Sequence, residues 1–224
     1  MKLYKLFSIQ FAFLLLFVVS CSKDDTTTSK PITPVEETIT WPLATPKLKV
    51  VGKYLKDPCG KIINLHGVAM TPSPWFNGGA VGEWRWNNYD VAGCLKYNKS
   101  IMDKLSDAKQ GWYLNYVRLH IDPYWTNNLG VSGISENDIS QFNVDRFKEA
   151  IDKVVLPLIT HAKTRGMYII LRPPGVCPEQ IAVGDAYHNY LKVIWDYISK
   201  HPSLKNSDHV MFELANEPVR IKLL

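Results

Sequence analysis

Cysteine is scarce in this sequence, with four among 224 residues, and no two cysteines are spaced as Cys-x-x-Cys. Structural zinc sites are commonly built on such pairs, so the spacing indicates that no metal is bound. If Cys21 is modified as described below, Cys59, Cys94 and Cys177 remain, and three is an odd number. One disulfide is then possible, but the sequence does not indicate its partners, and free cysteines are the simpler expectation.

Two patterns typical of nucleic-acid or nucleotide binding are also missing. The formal net charge of +5 is modest, and no block of basic residues with interleaved aromatics occurs. A nucleic-acid partner is therefore not expected. No glycine-rich loop follows the first predicted strand, which argues against a nucleotide-binding sheet.

A long apolar run is missing too, but a short one lies near the start. Residues 7–19 are largely apolar and follow a basic start at residues 1–5. A bilayer span needs about 20 residues, whereas this length is typical of a secretory signal. The run ends in Val18-Val19-Ser20-Cys21, which fits a lipoprotein signal at 1–20 with lipid attached to Cys21. An ordinary signal peptide cleaved near Ser20, or a short membrane anchor, would share these features.

The segment at 21–47 is predicted to be a flexible tether. It is rich in Thr, Ser, Pro and charge and has no apolar periodicity, so it cannot bury enough surface to fold. Its Lys23-Asp24-Asp25 resembles the surface-export signal of Bacteroidetes lipoproteins. We therefore expect a secreted lipoprotein held by lipid at Cys21 to the outer membrane and exposed at the cell surface.

Residues 48–224 show alternating strand and helix patterns. Two strand-like runs flank a turn at Asp57-Pro58-Cys59-Gly60, and the second of them, 62–69, is the stronger. Further apolar runs at 115–121, 167–173 and 209–215 predict strands, and the last two are continuous enough for parallel strands covered on both sides. Apolar residues at three- and four-residue spacing predict helices at about 98–110, at 143–165 and at about 185–200. In the second of these helices Asn143 is expected to cap the start, Pro157 to cause a kink and Gly166 to end the helix.

The order of these elements is a short hairpin followed by β-α-β-α-β-α-β. Such alternation implies right-handed crossovers and a parallel sheet. Periodicity alone does not separate an open doubly wound sheet from a barrel.

The run Phe-Glu-Leu-Ala-Asn-Glu-Pro at 212–218 places a carboxylate where the fourth strand should end. Side chains alternate along a strand, so Glu213, Ala215 and Glu217 should share one face. Asn216 offers an amide beside the Glu217 carboxylate, and Pro218 helps to end the strand. The carboxyl ends of barrel strands are where catalytic residues lie.

This run resembles the strand-four signature of glycoside hydrolase family 5, the cellulase-like retaining enzymes, and the strands at 48–70, 115–121 and 167–173 match that family in the same order. The resemblance implies the N-terminal half of a (β/α)8 TIM barrel, strands 1–4, preceded by the hairpin. It implies Glu217 as the catalytic acid/base, Asn216 as the partner of a sugar hydroxyl, and Arg118 as support for the site and its nucleophile. It implies a polysaccharide or oligosaccharide substrate and no cofactor, since two carboxylates and water suffice. We further expect Glu213 to pair with Arg118.

The end of the third strand departs from the family pattern. Many members carry a histidine there, whereas this sequence reads Leu171-Arg172-Pro173-Pro174-Gly175. One sugar contact is then missing or supplied by His120 or Arg172, so cellulose is not assumed as substrate.

Tryptophans lie in the loops that follow the first two strands. Trp75, Trp84 and Trp86 follow the first strand and Trp125 follows the second. Their flat faces suit sugar rings, with Trp75 the first candidate, although packing of the loops onto the barrel explains them equally well.

A second carboxylate is missing from the predicted site. In the family the nucleophile is a glutamate at the end of strand seven, and the 48–224 domain covers only four strands. The expectation is therefore a truncated glycosidase domain, inactive and poorly folded alone. A non-catalytic glycan-binding surface lipoprotein is the alternative, and a dimer of half-barrels is a third possibility.

Overall fold

The computed structural model describes residues 44–74, 90–121 and 138–222, all within the unit Ile39–Leu224. The predicted signal peptide, Cys21 and most of the predicted tether lie outside these residues, so the predicted boundaries of the three regions stay predictions. The strands are β1 (Lys49–Val51), β2 (Tyr54–Lys56), β3 (Gly67–Met70), β4 (Tyr116–His120), β5 (Tyr168–Arg172), β6 (Gln180–Ala182), β7 (Val210–Phe212) and β8 (Arg220–Lys222). The helices are α1 (Val91–Leu105), α2 (Val144–Ala150), α3 (Leu156–Thr164) and α4 (Ala186–Lys200), with a 3-10 turn at Ala108–Gln110 and a π-helical turn at Ile151–Val155.

The central sheet has four parallel strands in the order β3-β4-β5-β7. Apart from β6, which pairs with β8, the strands are neighbours in the sheet in the order in which they occur along the chain, without the reversal of order that marks a doubly wound sheet. This is the strand order of a (β/α)8 barrel, and β1 and β2 form an antiparallel hairpin before it. The predicted fold class, the strands of a half-barrel with an N-terminal hairpin, is confirmed.

One face of the sheet packs against the helices and forms the core. Val117 and Leu119 of β4 and Ile169 and Leu171 of β5 are fully buried in one apolar cluster. The helical segments contribute most of the other large buried side chains, which are Met102, Phe147, Ile151, Leu158, Ile194 and Ile198, while Ile121 and Met167 lie beside the strands. The alternate positions of β4 and β5 must point to the opposite face, and that face carries the candidate site.

Gly67 allows β3 and β4 to pair closely. Gly67 is the register partner of Tyr116, and a Cβ atom at residue 67 would overlap the Tyr116 carbonyl oxygen. A side chain would therefore force the two strands apart at the start of the sheet.

The helix predicted at 143–165 is confirmed, with an irregular centre. The Asn143 side chain accepts hydrogen bonds from the amides of Asp145 and Arg146 and so caps the first turn. The kink expected at Pro157 takes the form of the π-helical turn just before it, where the Leu156 amide bonds to the Ile151 carbonyl. Gly166 follows the helix with φ +67°, the left-handed conformation that ends many helices. The helix predicted at about 185–200 is likewise confirmed as α4.

The prediction of a helix at about 98–110 was wrong at both ends. Helix α1 starts at Val91 because the Asp90 carboxylate accepts a hydrogen bond from the Gly93 amide, and that cap precedes the apolar stripe on which the prediction relied. It ends at Leu105, where the Ser106 hydroxyl donates back to the Met102 carbonyl. The residues at 108–110 form a separate 3-10 turn.

Two strand predictions also need correction. The run at 62–69 is not one strand, because Ile62 forms an antiparallel bridge with Lys56 across the predicted turn and pairing in the parallel sheet starts only at Gly67. The fourth strand ends at Phe212 rather than near residue 215, and only the Glu213 amide still bonds to the Leu171 carbonyl. The parallel pairing of β6 with β8 was not predicted.

Cys59, Cys94 and Cys177 are free thiols, so the disulfide that the sequence allowed is not formed among them. In the described part of the chain no helix has the length and apolar character needed to cross a membrane.

Candidate active site

The candidate site lies at the carboxyl ends of β4, β5 and β7, on the face turned away from the helices. Arg118 and His120 alternate with the helix-facing Val117 and Leu119, so they project from this face. His120 is the register partner of Arg172 on β5, and the chain after β7 brings Glu213 and Asn216 to the same edge.

Arg118 and Glu213 form a bidentate ion pair in this site. Arg118 Nε donates to Glu213 Oε2 at 2.7 Å, and Arg118 Nη2 donates to Glu213 Oε1 at 2.5 Å. The hydrogen bond and the charge of Glu213, aided by the charge of Glu217, raise the pKa of Arg118 despite some desolvation. The predicted pairing is confirmed, and it commits both oxygens of Glu213 to Arg118.

Asn216 connects this ion pair to the loop that follows β5. Its Oδ1 accepts from Arg118 Nη2 at 3.0 Å, and its Nδ2 donates to the Gly175 carbonyl at 3.2 Å. The Asn216 carbonyl accepts a further hydrogen bond from the Cys177 amide, and the residue is only 1% exposed. Asn216 is thus tied into the protein on three sides, and its predicted contact with a sugar hydroxyl stays a prediction.

Glu217 stands on the surface beside this network. Its backbone has φ +53°, a left-handed conformation uncommon for a residue with a side chain, and it is exposed to solvent. Because β7 ends at Phe212, the alternation that was expected to place Glu213, Ala215 and Glu217 on one face does not extend to residue 217. Glu217 reaches the site through a turn instead, since the buried Asn216 fixes the residue before it.

The chain on either side of Glu217 is paired to the loop after β5. The Arg220 amide donates to the Glu179 carbonyl at 3.2 Å, and β8 then runs parallel to β6. The turn that carries Glu217 is therefore held at Asn216 before it and at Arg220 after it.

His120 is a buried, neutral histidine at the end of β4. Burial, and to a smaller extent the nearby charges of Arg172 and Arg118, lower its pKa to about 3. Its Nδ1 lies 3.4 Å from the Thr71 hydroxyl, and its Nε2 is buried with no hydrogen-bond partner among the described residues. His120 therefore brings an uncharged imidazole to the site.

Arg172 takes the position where the sequence departs from the family pattern. Its Nη2 donates to the Gly175 carbonyl at 3.0 Å, the same oxygen that accepts from Asn216. Gly175 joins the site through a backbone oxygen, so no side-chain signal in the sequence could have indicated it.

Five predicted residues lie outside the described residues: Trp75, Trp84, Trp86, Trp125 and the lipidation site Cys21. Within the described ranges, no three His, Cys, Asp or Glu side chains are grouped to hold a metal ion. The site thus offers one exposed carboxylate, Glu217, beside a cation whose charge Glu213 largely balances.

Comparison with known proteins supplies the family. The model of the family described as cellulase, glycosyl hydrolase family 5, matches residues 77–222. An endocellulase from Pyrococcus horikoshii, solved in a complex with cellotetraose, is similar in structure with 17% identity and a TM-score of 0.43. The match covers 78% of this chain but only 44% of that endocellulase chain. No curated protein matches this chain.

Proposed function

Since the chain belongs to glycosyl hydrolase family 5, whose model matches well over half of its residues, we propose that it forms part of a retaining glycosidase with Glu217 as the acid/base. The exposed Glu217 carboxylate, held in the turn after β7 beside the Arg118–Glu213 pair, supports this proposal most directly. The substrate we propose is a polysaccharide or an oligosaccharide.

In this mechanism Glu217 acts twice. It first gives its proton to the glycosidic oxygen as the bond to the leaving sugar breaks and a second carboxylate attacks the sugar carbon. It then takes a proton from the water that hydrolyses the glycosyl-enzyme. Asn216 and His120 are proposed to contact the sugar next to the reacting carbon, and Arg118 to hold the site in shape. Trp75 is proposed to stack on a further sugar ring.

Glu213 does not suit the role of nucleophile. Both of its oxygens accept hydrogen bonds from Arg118, which stabilise the carboxylate and weaken it as an attacking group. We propose that the nucleophile is a glutamate at the end of strand seven of the family fold, which residues 1–224 do not include. Sequencing the gene through and beyond codon 224 tests this point. A continued frame that encodes four more strands and that glutamate would support it, whereas a stop directly after Leu224 would contradict hydrolysis by this chain.

The catalytic role of Glu217 can be tested in the product of the complete reading frame. Glu217→Gln should lower hydrolysis of a polysaccharide panel by about 10²- to 10⁴-fold, because the leaving oxygen is no longer protonated. An aryl glycoside with a good leaving group should be affected less, and azide should restore its turnover, since neither that departure nor attack by an anion needs the acid/base.

Glu149→Gln is the matched control, because Glu149 lies on the helix side and pairs with Lys153. Equal activity of Glu217→Gln and Glu149→Gln would refute the role of Glu217. Glycan binding without any hydrolysis would favour a non-catalytic glycan-binding lipoprotein instead.

We also propose that the protein is a secreted lipoprotein, anchored by lipid at Cys21 on the outer membrane. The support is the apolar run followed by Val18-Val19-Ser20-Cys21 and the tether after it. Labelling with a fatty-acid analogue should mark the wild-type chain and not Cys21→Ser.

A further inference from the structure

The positive charge of the described chain is concentrated at its beginning. Residues 44–66 contain five lysines and one aspartate, a formal charge of +4 in 23 residues, whereas the other 125 described residues, with 16 basic and 13 acidic side chains, carry only +3. The lysines are Lys47, Lys49, Lys53, Lys56 and Lys61, and none of them forms an ion pair with another described residue. Four of the five are exposed, and Lys56 is half-buried. We call residues 47–62 the basic hairpin.

The pairing within the basic hairpin brings like charges together. Lys49 and Lys56 are direct cross-strand partners, as are Val51 and Tyr54, and alternation puts all four side chains on one face. Like charges directly opposite one another destabilise a strand pair. Lys53 adds a third ammonium, 5.4 Å from the centre of the Tyr54 ring. The ammonium groups on this face therefore repel one another, and contact with an anionic surface would relieve that repulsion.

Apolar side chains are exposed among these lysines. Val51 and Tyr54, 42% exposed each, share the face of Lys49 and Lys56, and Ile62, 45% exposed, is the bridge partner of Lys56. Val50, 75% exposed, lies on the opposite face of the hairpin. Exposed apolar side chains beside lysines suit the interface of a membrane, where apolar groups enter and ammonium groups meet lipid phosphates.

The basic hairpin lies at the end of the sheet opposite to the candidate site. The Tyr168 hydroxyl, at the start of β5, donates to the Pro46 carbonyl at 2.7 Å, and burial raises the pKa of Tyr168 to about 12, so the donor stays protonated. Asn115, just before β4, bonds to the His66 amide and the Asn64 carbonyl. These contacts fix 46–66 at the amino ends of the parallel strands, while Arg118, His120 and Glu217 belong to the carboxyl ends.

We propose that the basic hairpin docks this domain onto the phosphate groups of an anionic lipid surface and so turns the candidate site away from the membrane. Charge complementarity identifies the partner, because each lysine at such a surface adds to binding while its exposed apolar neighbours enter the interface. A flexible chain of about 25 residues, as the sequence predicts between Cys21 and the hairpin, spans only about 25–30 Å, so lipid at Cys21 would hold the hairpin near the surface. The inference goes beyond the proposed hydrolase function and does not depend on it.

Vesicle sedimentation of the full chain with Cys21→Ser tests the proposal without a lipid anchor. Binding to neutral phosphatidylcholine vesicles measures how much the apolar run at 7–19 contributes to membrane binding. The additional binding to vesicles that contain phosphatidylglycerol measures the contribution of charge. Binding should be stronger to the anionic vesicles and should weaken as salt rises from 0.05 M to 0.5 M. Lys49→Gln with Lys56→Gln should weaken the anionic binding by about tenfold or more.

Lys192→Gln with Lys205→Gln is the matched control, because it removes the same charge from exposed positions on helix α4 and the turn after it. It should change binding by less than twofold. The hairpin variant removes a like-charge repulsion, so a thermal melt should show that it is folded as well as the parent. Equal binding to neutral and anionic vesicles, or an equal loss in the control variant, would overturn the proposal.

Discussion

Arg118 is the residue on which the contacts of the site converge. It donates hydrogen bonds to both oxygens of Glu213 and to the amide oxygen of Asn216, and the charge of Glu217 helps to raise its pKa. It therefore joins the end of β4 to the chain after β7, two segments almost a hundred residues apart. A change at either partner should show first in stability.

Glu213→Gln should lower the free energy of unfolding by about 1–3 kcal/mol, because it leaves a partly buried guanidinium without its counterion. Urea unfolding followed by circular dichroism measures this loss. Glu149→Gln is the control, since its exposed pair with Lys153 should contribute less than about 0.5 kcal/mol. Equal stability of Glu213→Gln and the parent would contradict the structural role of the pair.

His120 makes the fold sensitive to acid. Its pKa is about 3 when folded and 6.5 when unfolded, so between these values the unfolded chain binds the proton more readily. Stability should therefore fall as pH drops from about 6.5 toward about 3, by up to about 1.4 kcal/mol per pH unit. His209, whose pKa burial also lowers, should add to the same trend.

The contribution of His120 to this pH dependence is measured by comparing the parent with His120→Asn. The quantity compared is the slope of the free energy of unfolding against pH, obtained from urea unfolding at pH 7.0, 5.5 and 4.5. The variant should lose stability less steeply. Identical slopes would show that His120 is not buried in its neutral form.

At the scale of elements, β3 depends on a residue without a side chain. Gly67→Ala would place a methyl group against the Tyr116 carbonyl, and such overpacking costs about 1–3 kcal/mol or more. Val68→Ala on the same strand is the control, because it removes two methyl groups from a position 37% exposed and should cost less than about 1 kcal/mol. Thermal unfolding that ranks Val68→Ala as the more damaging change would argue against the close approach.

The elements that the sequence predicted well carry strong local signals. The strands around 115–121 and 167–173 are buried apolar runs, and the helix at Asn143 has both a side-chain cap and an apolar stripe. Helix α1 was misplaced because its start depends on Asp90, a cap outside the stripe. The pairing of β6 with β8 joins two three-residue strands about forty residues apart, and neither is long enough to show a period.

The contacts of the candidate site also fall into those that the sequence could predict and those that it could not. The Arg118–Glu213 pair could be predicted because both residues sit on or just after strands whose faces the sequence indicated. The position of Glu217 could not, since a turn with φ +53° replaces the expected strand and depends on the burial of Asn216. The shared carbonyl of Gly175 is a backbone contact between distant segments, which residue types do not indicate.

At the scale of the molecule, the sheet sets a gradient of local stability. β4 and β5 have a parallel neighbour on both sides, whereas β3 and β7 are the end strands of the four. The hairpin of β1 with β2 and the pair β6 with β8 are two-stranded and short. Isolated pairs of this length are marginal, so they should open without the rest of the domain.

Native-state hydrogen exchange should reveal this gradient. Amides of Val117, Leu119, Ile169 and Leu171 should exchange slowest, and those of the basic hairpin and of β8 should exchange at least about tenfold faster. Phosphatidylglycerol vesicles should slow exchange in the basic hairpin alone. Uniform protection across all strands would mean that the domain opens only as a whole.

The hydrogen bond from Tyr168 to the Pro46 carbonyl also has a mechanical consequence. A pull on the amino-terminal side of the domain reaches Pro46 before it reaches any strand of the four-stranded sheet, so this bond bears the load first. Once it breaks, β1 peels from β2 one pair at a time and releases roughly 3.3 Å of length per residue. The hairpin should therefore unfold and lengthen under force first. The parallel strands that carry the candidate site would bear the load only after the hairpin has opened.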